Sequence, residues 1–382
     1  MSGPGLRGGD ELPIGRRMAR WRVRRRMTQQ MLADRLGKSK SWVDKVERGV
    51  RALDRYSVIQ EIAEVLHVDP STLLGSHRVP RTAAVGLDGV EAVRAALARY
   101  QHRPTATPPV DQLHRHVAHA WLTYHHAHYA QLLRSLPALL DATHTTPALL
   151  VPSYRITAAV LVKLGEPDLA WLAADRAVTA AADHTTLRGT ATIVVAQALR
   201  ALDRDRLAMT AALTAADTVT DKGVQGTLLL QAGLAAAGTG DRRNTDDLID
   251  HADDLTNRGT PGHDPHHTHF GPLTVRLARV LAALRLGDTT EAVYLHEKAV
   301  RHDDWTRLPA ELRAAHLLDA AHAYAQTGDH TTAAQKVLTA DTLAPTEVRF
   351  RPYARTVIAE IARSGPAGAD VARLATAVGL TR

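Results

Sequence analysis

A short turn recurs five times beyond residue 145, and alanines follow it at fixed offsets. The turns are Gly165-Glu166, Leu202-Asp203, Gly240-Asp241, Gly287-Asp288 and Gly328-Asp329. Taking Gly165, Asp203, Gly240, Gly287 and Gly328 as anchors, the spacings are 38, 37, 47 and 41 residues. Twelve residues after each anchor stands an alanine (Ala177, Ala215, Ala252, Ala299, Ala340). Five residues after it stand Ala170, Ala208, Ala292 and Ala333, with Thr245 the exception. Small side chains at both offsets let one helix pass close against its partner, so the pattern predicts stacked helical hairpins. With aromatics at only 4%, such helices must pack through small aliphatic residues. The expected class is all-α.

The charge is divided unevenly. Residues 1–82 hold 17 Lys/Arg against 9 Asp/Glu, and the other 300 hold 30 against 31. A basic excess confined to one small region is the electrostatic footprint of a polyanion-binding module. The absence of cysteine excludes disulfides, thiolate metal sites and cysteine nucleophiles. No run approaches the ~20 apolar residues of a membrane helix, and MSGPGLRGGDELP lacks the apolar core of a secretory signal. A cytoplasmic protein is expected, with no membrane partner.

Residues 14–74 predict five short helices. Ile14, Met18 and Trp21 share one face of the first, which runs to about Arg25. Thr28 caps a second that buries Leu32, Ala33 and Leu36 and ends at Gly37. Ser39 caps a third with Val43 and Val46 inward, ending at Gly49. Two helices joined by so tight a turn form a helix-turn-helix unit, whose second helix can enter a major groove. A fourth helix buries Ile59, Ile62, Ala63 and Leu66, and a short fifth starts at Pro70 and buries Leu73.

The string MTQQMLADRLGKSKSWVDKVERGVRAL, with IAEVLHVDPSTLLG after it, resembles the Xre/Cro repressor type of helix-turn-helix domain. The likeness covers about 60 residues and rests on Thr28-Gln29, Ala33, Leu36-Gly37, Ser39, Val43/Val46, Glu47, Gly49 and Val68-Asp69-Pro70. Arg26 stands where such domains usually carry glycine, and a left-handed residue there costs about 1 kcal/mol. Lys38 replaces a usual Val and His67 a usual Gly. The resemblance implies base contacts from Lys40, Ser41 and Lys45, with Asp44 accepting from a cytosine amine. It implies phosphate or sugar contacts from Gln29, Ser39, Trp42, Arg48, Arg51, Arg22 and Arg25. Trp42 has two open readings, packing on the DNA or packing against the first helix.

The hairpin pattern resembles a degenerate tetratricopeptide (TPR) array. LGEPDLAWLAADRAV, FGPLTVRLARVLAALRLGD and AAHLLDAAHAYAQTGD resemble the C-terminal half of helix-turn-helix regulators of high-GC bacteria. The implied division is a disordered tail at 1–13, a DNA-binding domain at 14–74, a linker at 75–87 and a TPR-like α-solenoid at 88–382. The implied function is a homodimeric transcription regulator on a double-stranded, inverted-repeat operator. Its array dimerises and senses a peptide or small-molecule effector.

Two histidine clusters point elsewhere. His263, His266, His267 and His269 fall within seven residues, in the longest interval between turns, and are candidate metal ligands or a polar surface loop. HRHVAHAWLTYHHAH places His116 with His119 and His125 with His128 at helical spacing, suited to a groove lining, a pH response or a solvated face. His296-Glu297 fails the H-E-x-x-H pattern because Val300 stands at the second histidine position, and no nucleotide loop or nucleophile elbow occurs. No catalysis and no cofactor are expected. The rival readings are a protein–protein scaffold that docks through the helix-turn-helix, and a metal- or pH-responsive sensor.

Overall fold

The computed structural model describes residues 14–51, 53, 56–66, 68, 73, 89–99, 108–256, 264–363 and 368–380. Among these residues there are twenty α-helices and no strand, and no helix is long and apolar enough to cross a membrane. The chain divides into two compact units, residues 1–82 and 83–382. The expected tail at 1–13, the linker at 75–87, His67 and His263 lie outside the described residues.

In the first unit, α1 (Ile14–Arg24), α2 (Gln29–Arg35), α3 (Lys40–Glu47) and α4 (Tyr56–Leu66) enclose Met18, Leu32, Val43, Val46, Ile62 and Leu66, all fully buried. Both predicted caps form: Thr28 Oγ1 accepts from the Met31 N–H and Ser39 Oγ from the Trp42 N–H, each at 3.1 Å. Arg26 takes the left-handed conformation expected of it, with φ 52°. The fifth helix predicted from Pro70 falls outside the described residues, apart from Leu73, which is buried.

The second unit opens with α5 (Val90–Ala98) and continues as six antiparallel hairpins. They are α6 (Val110–His125) with α7 (Tyr129–Thr143), α8 (Pro147–Lys163) with α9 (Pro167–Ala181), and α10 (Thr185–Ala201) with α11 (Asp205–Ala216). Then come α12 (Lys222–Thr239) with α13 (Arg242–Thr256), α14 (Pro272–Leu286) with α15 (Thr289–Ala299), and α16 (Ala310–Thr327) with α17 (His330–Leu343). Three shorter helices follow: α18 (Pro345–Arg349), α19 (Pro352–Arg363) and α20 (Ala369–Ala377).

All five turn anchors are left-handed, with φ 74° at Gly165, 59° at Asp203, 84° at Gly240, 82° at Gly287 and 90° at Gly328. Glycine enters that region freely, and aspartate is among the side chains that tolerate it. Every residue five places on is fully buried, including Thr245, whose hydroxyl donates to the Asp241 carbonyl at 2.7 Å. Four of the five alanines at the second offset are buried as predicted. In α11 the contact row runs through Ala208, Ala212 and Ala216, so Ala216 takes the place expected of Ala215. A sixth turn, at Ala127 with φ 57°, escaped the pattern because alanine stands where the others carry glycine or aspartate.

The first helices of successive hairpins pack side by side as an inner layer, and α16 also reaches α6. The last hairpins therefore return to the first, and one core joins Leu133, Ile156, Leu318, Val348 and Ile358. A buried polar cluster fastens this closure. Lys163 Nζ lies 2.8 Å from Glu311 Oε2 and 2.7 Å from Glu347 Oε1. Tyr129 Oη donates to the other oxygen of Glu347 at 2.5 Å, and Arg351 Nη1 lies 2.7 Å from Glu347 Oε1. Burial pushes the Glu347 carboxyl up, but Lys163 and Arg351 beside it hold it below its ordinary value.

Candidate nucleic-acid interface

The geometry of α3 follows from its two faces. Val43, Val46 and Glu47 turn inward, while Lys40, Ser41, Lys45 and Arg48 are exposed, as are Ser39 before the helix and Arg51 after it. Helix α1 crosses α3 in direct backbone contact at Gly15, where a Cβ would stand 1.9 Å from the Val46 carbonyl oxygen. The close crossing fixes the angle at which α3 is presented.

Arg22 and Glu47 form the anchor behind that face. Arg22 Nε and Nη2 donate to the two Glu47 oxygens at 2.6 and 3.1 Å, and Nη1 donates to the Met27 carbonyl at 2.7 Å. Gln29 Nε2 donates to Glu47 Oε2 at 2.9 Å. Arg25 Nε donates to the Leu66 carbonyl at 3.0 Å. Three side chains expected at phosphates thus make bonds within the domain; the forks of Arg22 and the amide of Gln29 tie α1 and α2 to the end of α3. Asp44, expected at a cytosine, pairs with Arg48 at 2.6 Å in the free protein. Lys40 and Lys45 make no ion pair among the described residues. Trp42 is half-buried and packs against the domain core.

The two histidine clusters, far apart in sequence, meet in the array. The segment Asp264–Gly271, between the hairpin that ends at Thr256 and the one that starts at Pro272, folds onto α6. The His267 ring stacks on Trp121 (centroids 4.6 Å apart, planes 9°), and His269 Nε2 lies 3.3 Å from His125 Nε2. Phe270 packs against Gly226 of α12. Burial pushes His125 down to about 3 and His267 down to about 4, so both imidazoles are neutral near pH 7. His116, His119 and His128 stay exposed, and His266 Nε2 lies 4.0 Å from Asp221 Oδ2. Among the described residues no group of three or more His, Asp or Glu is arranged to hold a metal ion.

Sequence reasoning missed a second buried pair, His296 Nδ1 with His316 Nε2 at 2.9 Å beside Trp305. It also missed the Lys163–Glu347 cluster. The residues concerned are single polar positions on different helices, and no local pattern links them.

Residues 13–74 match a family model described as a helix-turn-helix domain. No curated protein matches the chain significantly. Among solved structures the chain is similar to PlcR of Bacillus thuringiensis, determined in complex with the peptide PapR7 and DNA; the identity is 11%, 87% of this chain and 95% of that chain are covered, and the TM-score is 0.41.

Proposed function

We propose, from the helix-turn-helix domain that residues 13–74 form, that the chain is a sequence-specific DNA-binding transcription regulator working in the cytoplasm. The observation that carries this reading is the outer row of α3: Lys40, Ser41, Lys45 and Arg48 are exposed together, while the inner row is locked into the core and to Arg22. A helix so presented lies in a major groove with Lys40, Ser41 and Lys45 at base edges. Ser39, at the helix N-terminus, and Arg48 and Arg51, at its far end, reach phosphates. On binding, Asp44 and Arg48 exchange each other for a cytosine amine and a phosphate.

Two copies of the chain, related by a two-fold axis, would read half-sites about 34–36 Å apart in an inverted repeat. The array supplies the surface for dimerisation and for a peptide or small-molecule effector, whose unequal affinity for two arrangements of the dimer would shift DNA affinity. The protein acts as a regulator, not as a catalyst.

Selection of genomic fragments by the full-length protein at physiological salt tests this. A regulator enriches one inverted repeat. A scaffold that docks through its helix-turn-helix retains only weak, salt-erased binding without sequence preference, and that result would overturn the proposal.

A further inference from the structure

Arg155 lies in the middle of α8 and is 4% exposed. A guanidinium removed from water to this extent ordinarily faces a carboxylate, because an uncompensated buried charge is costly. Among the described residues it makes one hydrogen bond, from Nη2 to the backbone carbonyl of His266 at 2.9 Å, and its buried Nε has no partner there. Asp264 acts on it from a distance, but the Asp264 oxygens are occupied by the N–H and hydroxyl of Thr268 and the N–H of His269.

The surroundings repeat the shortage. The guanidinium carbon lies 5.2 Å from the centre of the Trp121 ring, and the buried Trp121 Nε1–H also lacks an acceptor among the described residues. His125, whose ring centre is 5.7 Å from that of Trp121, has a buried Nδ1 with no partner among the described residues. Arginine and tryptophan nitrogens can only donate. What Arg155 and Trp121 lack is an acceptor, and beside a guanidinium the acceptor of choice is an anion. A cation is disfavoured by the Arg155 charge.

We propose that Arg155, Trp121 and His125 form a binding site for a small organic carboxylate. Its oxygens replace the His266 carbonyl on the guanidinium fork, whose planar geometry matches a carboxylate's two acceptors, and accept from the Trp121 indole. Asp264–Gly271 shifts to admit it. His267 and His269, at φ 52° and 51°, hold that segment in the left-handed region that side chains seldom occupy, so its docked form is a strained one. The site deepens the effector reading above and rests on it only for the link to DNA; binding itself is measured without DNA.

Calorimetric titration of the full-length protein at pH 7 and constant ionic strength, with acetate, benzoate and inorganic phosphate as probes, tests the site. The expected result is saturable binding of a carboxylate probe, weakened at least tenfold by Arg155→Met and unchanged by Arg94→Met on the surface. Arg155→Met should also raise the melting temperature, since it removes an uncompensated charge at similar volume. Absence of saturable carboxylate binding overturns the proposal. So do equal binding by Arg155→Met, a lowered melting temperature in that variant, or phosphate as the sole probe bound. Tight Zn²⁺ binding that disappears in His125→Ala would overturn it too, by reassigning the cluster to a cation.

Discussion

Glu47 receives both forks of Arg22 across 25 residues of sequence, at 2.6 and 3.1 Å, and both partners are largely buried. The carboxylate belongs to the last turn of α3 and the guanidinium to the last turn of α1, so this pair helps to set α3 against the rest of its domain. Removing one member of such a pair leaves the other charge uncompensated. Glu47→Ala is expected to destabilise the domain by about 3 kcal/mol. Hydrogen exchange of the Leu32, Ala33, Val43 and Val46 amides in the full-length protein should accelerate correspondingly; unaltered protection would remove Glu47 from this role.

Lys45 is exposed on the outer row of α3 and makes no ion pair among the described residues. Lys45→Ala should weaken binding to the selected operator by about 1–3 kcal/mol and relax preference at a single base pair. Binding to a panel of operators with single substitutions measures this. Equal losses on every sequence would place Lys45 at a phosphate.

Arg48 is expected to act differently. Arg48→Ala should weaken binding to all sequences alike and shallow the salt dependence by about one phosphate contact. Because the change also frees Asp44 from its pair, the Asp44→Ala, Arg48→Ala double variant separates phosphate contact from added repulsion. A salt slope equal to that of the wild type in both variants would refute the contact.

Lys163 sits between two buried carboxylates, Glu311 and Glu347. Lys163→Ala leaves those acids facing each other and should cost the array about 3 kcal/mol. Amides of residues 345–349 and of the α6–α7 turn should lose exchange protection together. Loss on one side alone would show that the cluster does not couple them.

Acidification should loosen the array. Burial pushes His296 down to about 4 and His316 down to about 3, and the Lys336 charge adds to the effect at both. Their folded-state values lie below the ~6.5 of a free imidazole, so between about pH 4 and 6.5 the unfolded chain binds more protons. Stability is fully present above pH 6.5 and falls as pH drops, by about 1.4 kcal/mol per pH unit for each such histidine. His125 and His267 act in the same direction. Melting temperatures at pH 5 and 7 should differ, and His316→Phe should flatten the slope even where it lowers stability at pH 7. An unchanged slope would remove this pair from the titration.

The helix-turn-helix domain was legible because its signals are local. Thr28 and Ser39 cap the helices they precede, and Val43 and Val46 are three apart on a helix whose period decides which side is buried. The turn anchors were legible for the same reason, since a left-handed backbone restricts the residue that can stand there. Directions of charged side chains were not. Arg22 and Arg48 look alike in sequence, yet one faces inward because a carboxylate 25 residues on lies beneath it, and the other faces out. The histidine segment defeated sequence reasoning more fully. Its partner, Trp121, is 146 positions from His267, and a spacing set by how many hairpins separate two rings leaves no periodic trace.

The return of the last hairpins to the first changes how this array must fold. In an open stack each unit depends on its two neighbours, so the ends fray and the middle survives. Here Tyr129 waits for an acceptor 218 residues later, and the nascent chain cannot complete its principal core until α20 has emerged. Closure at so long a separation is slow, but once made it leaves no terminal repeat to peel away. The array should melt in one cooperative transition, and a break in any hairpin should be felt by all of them.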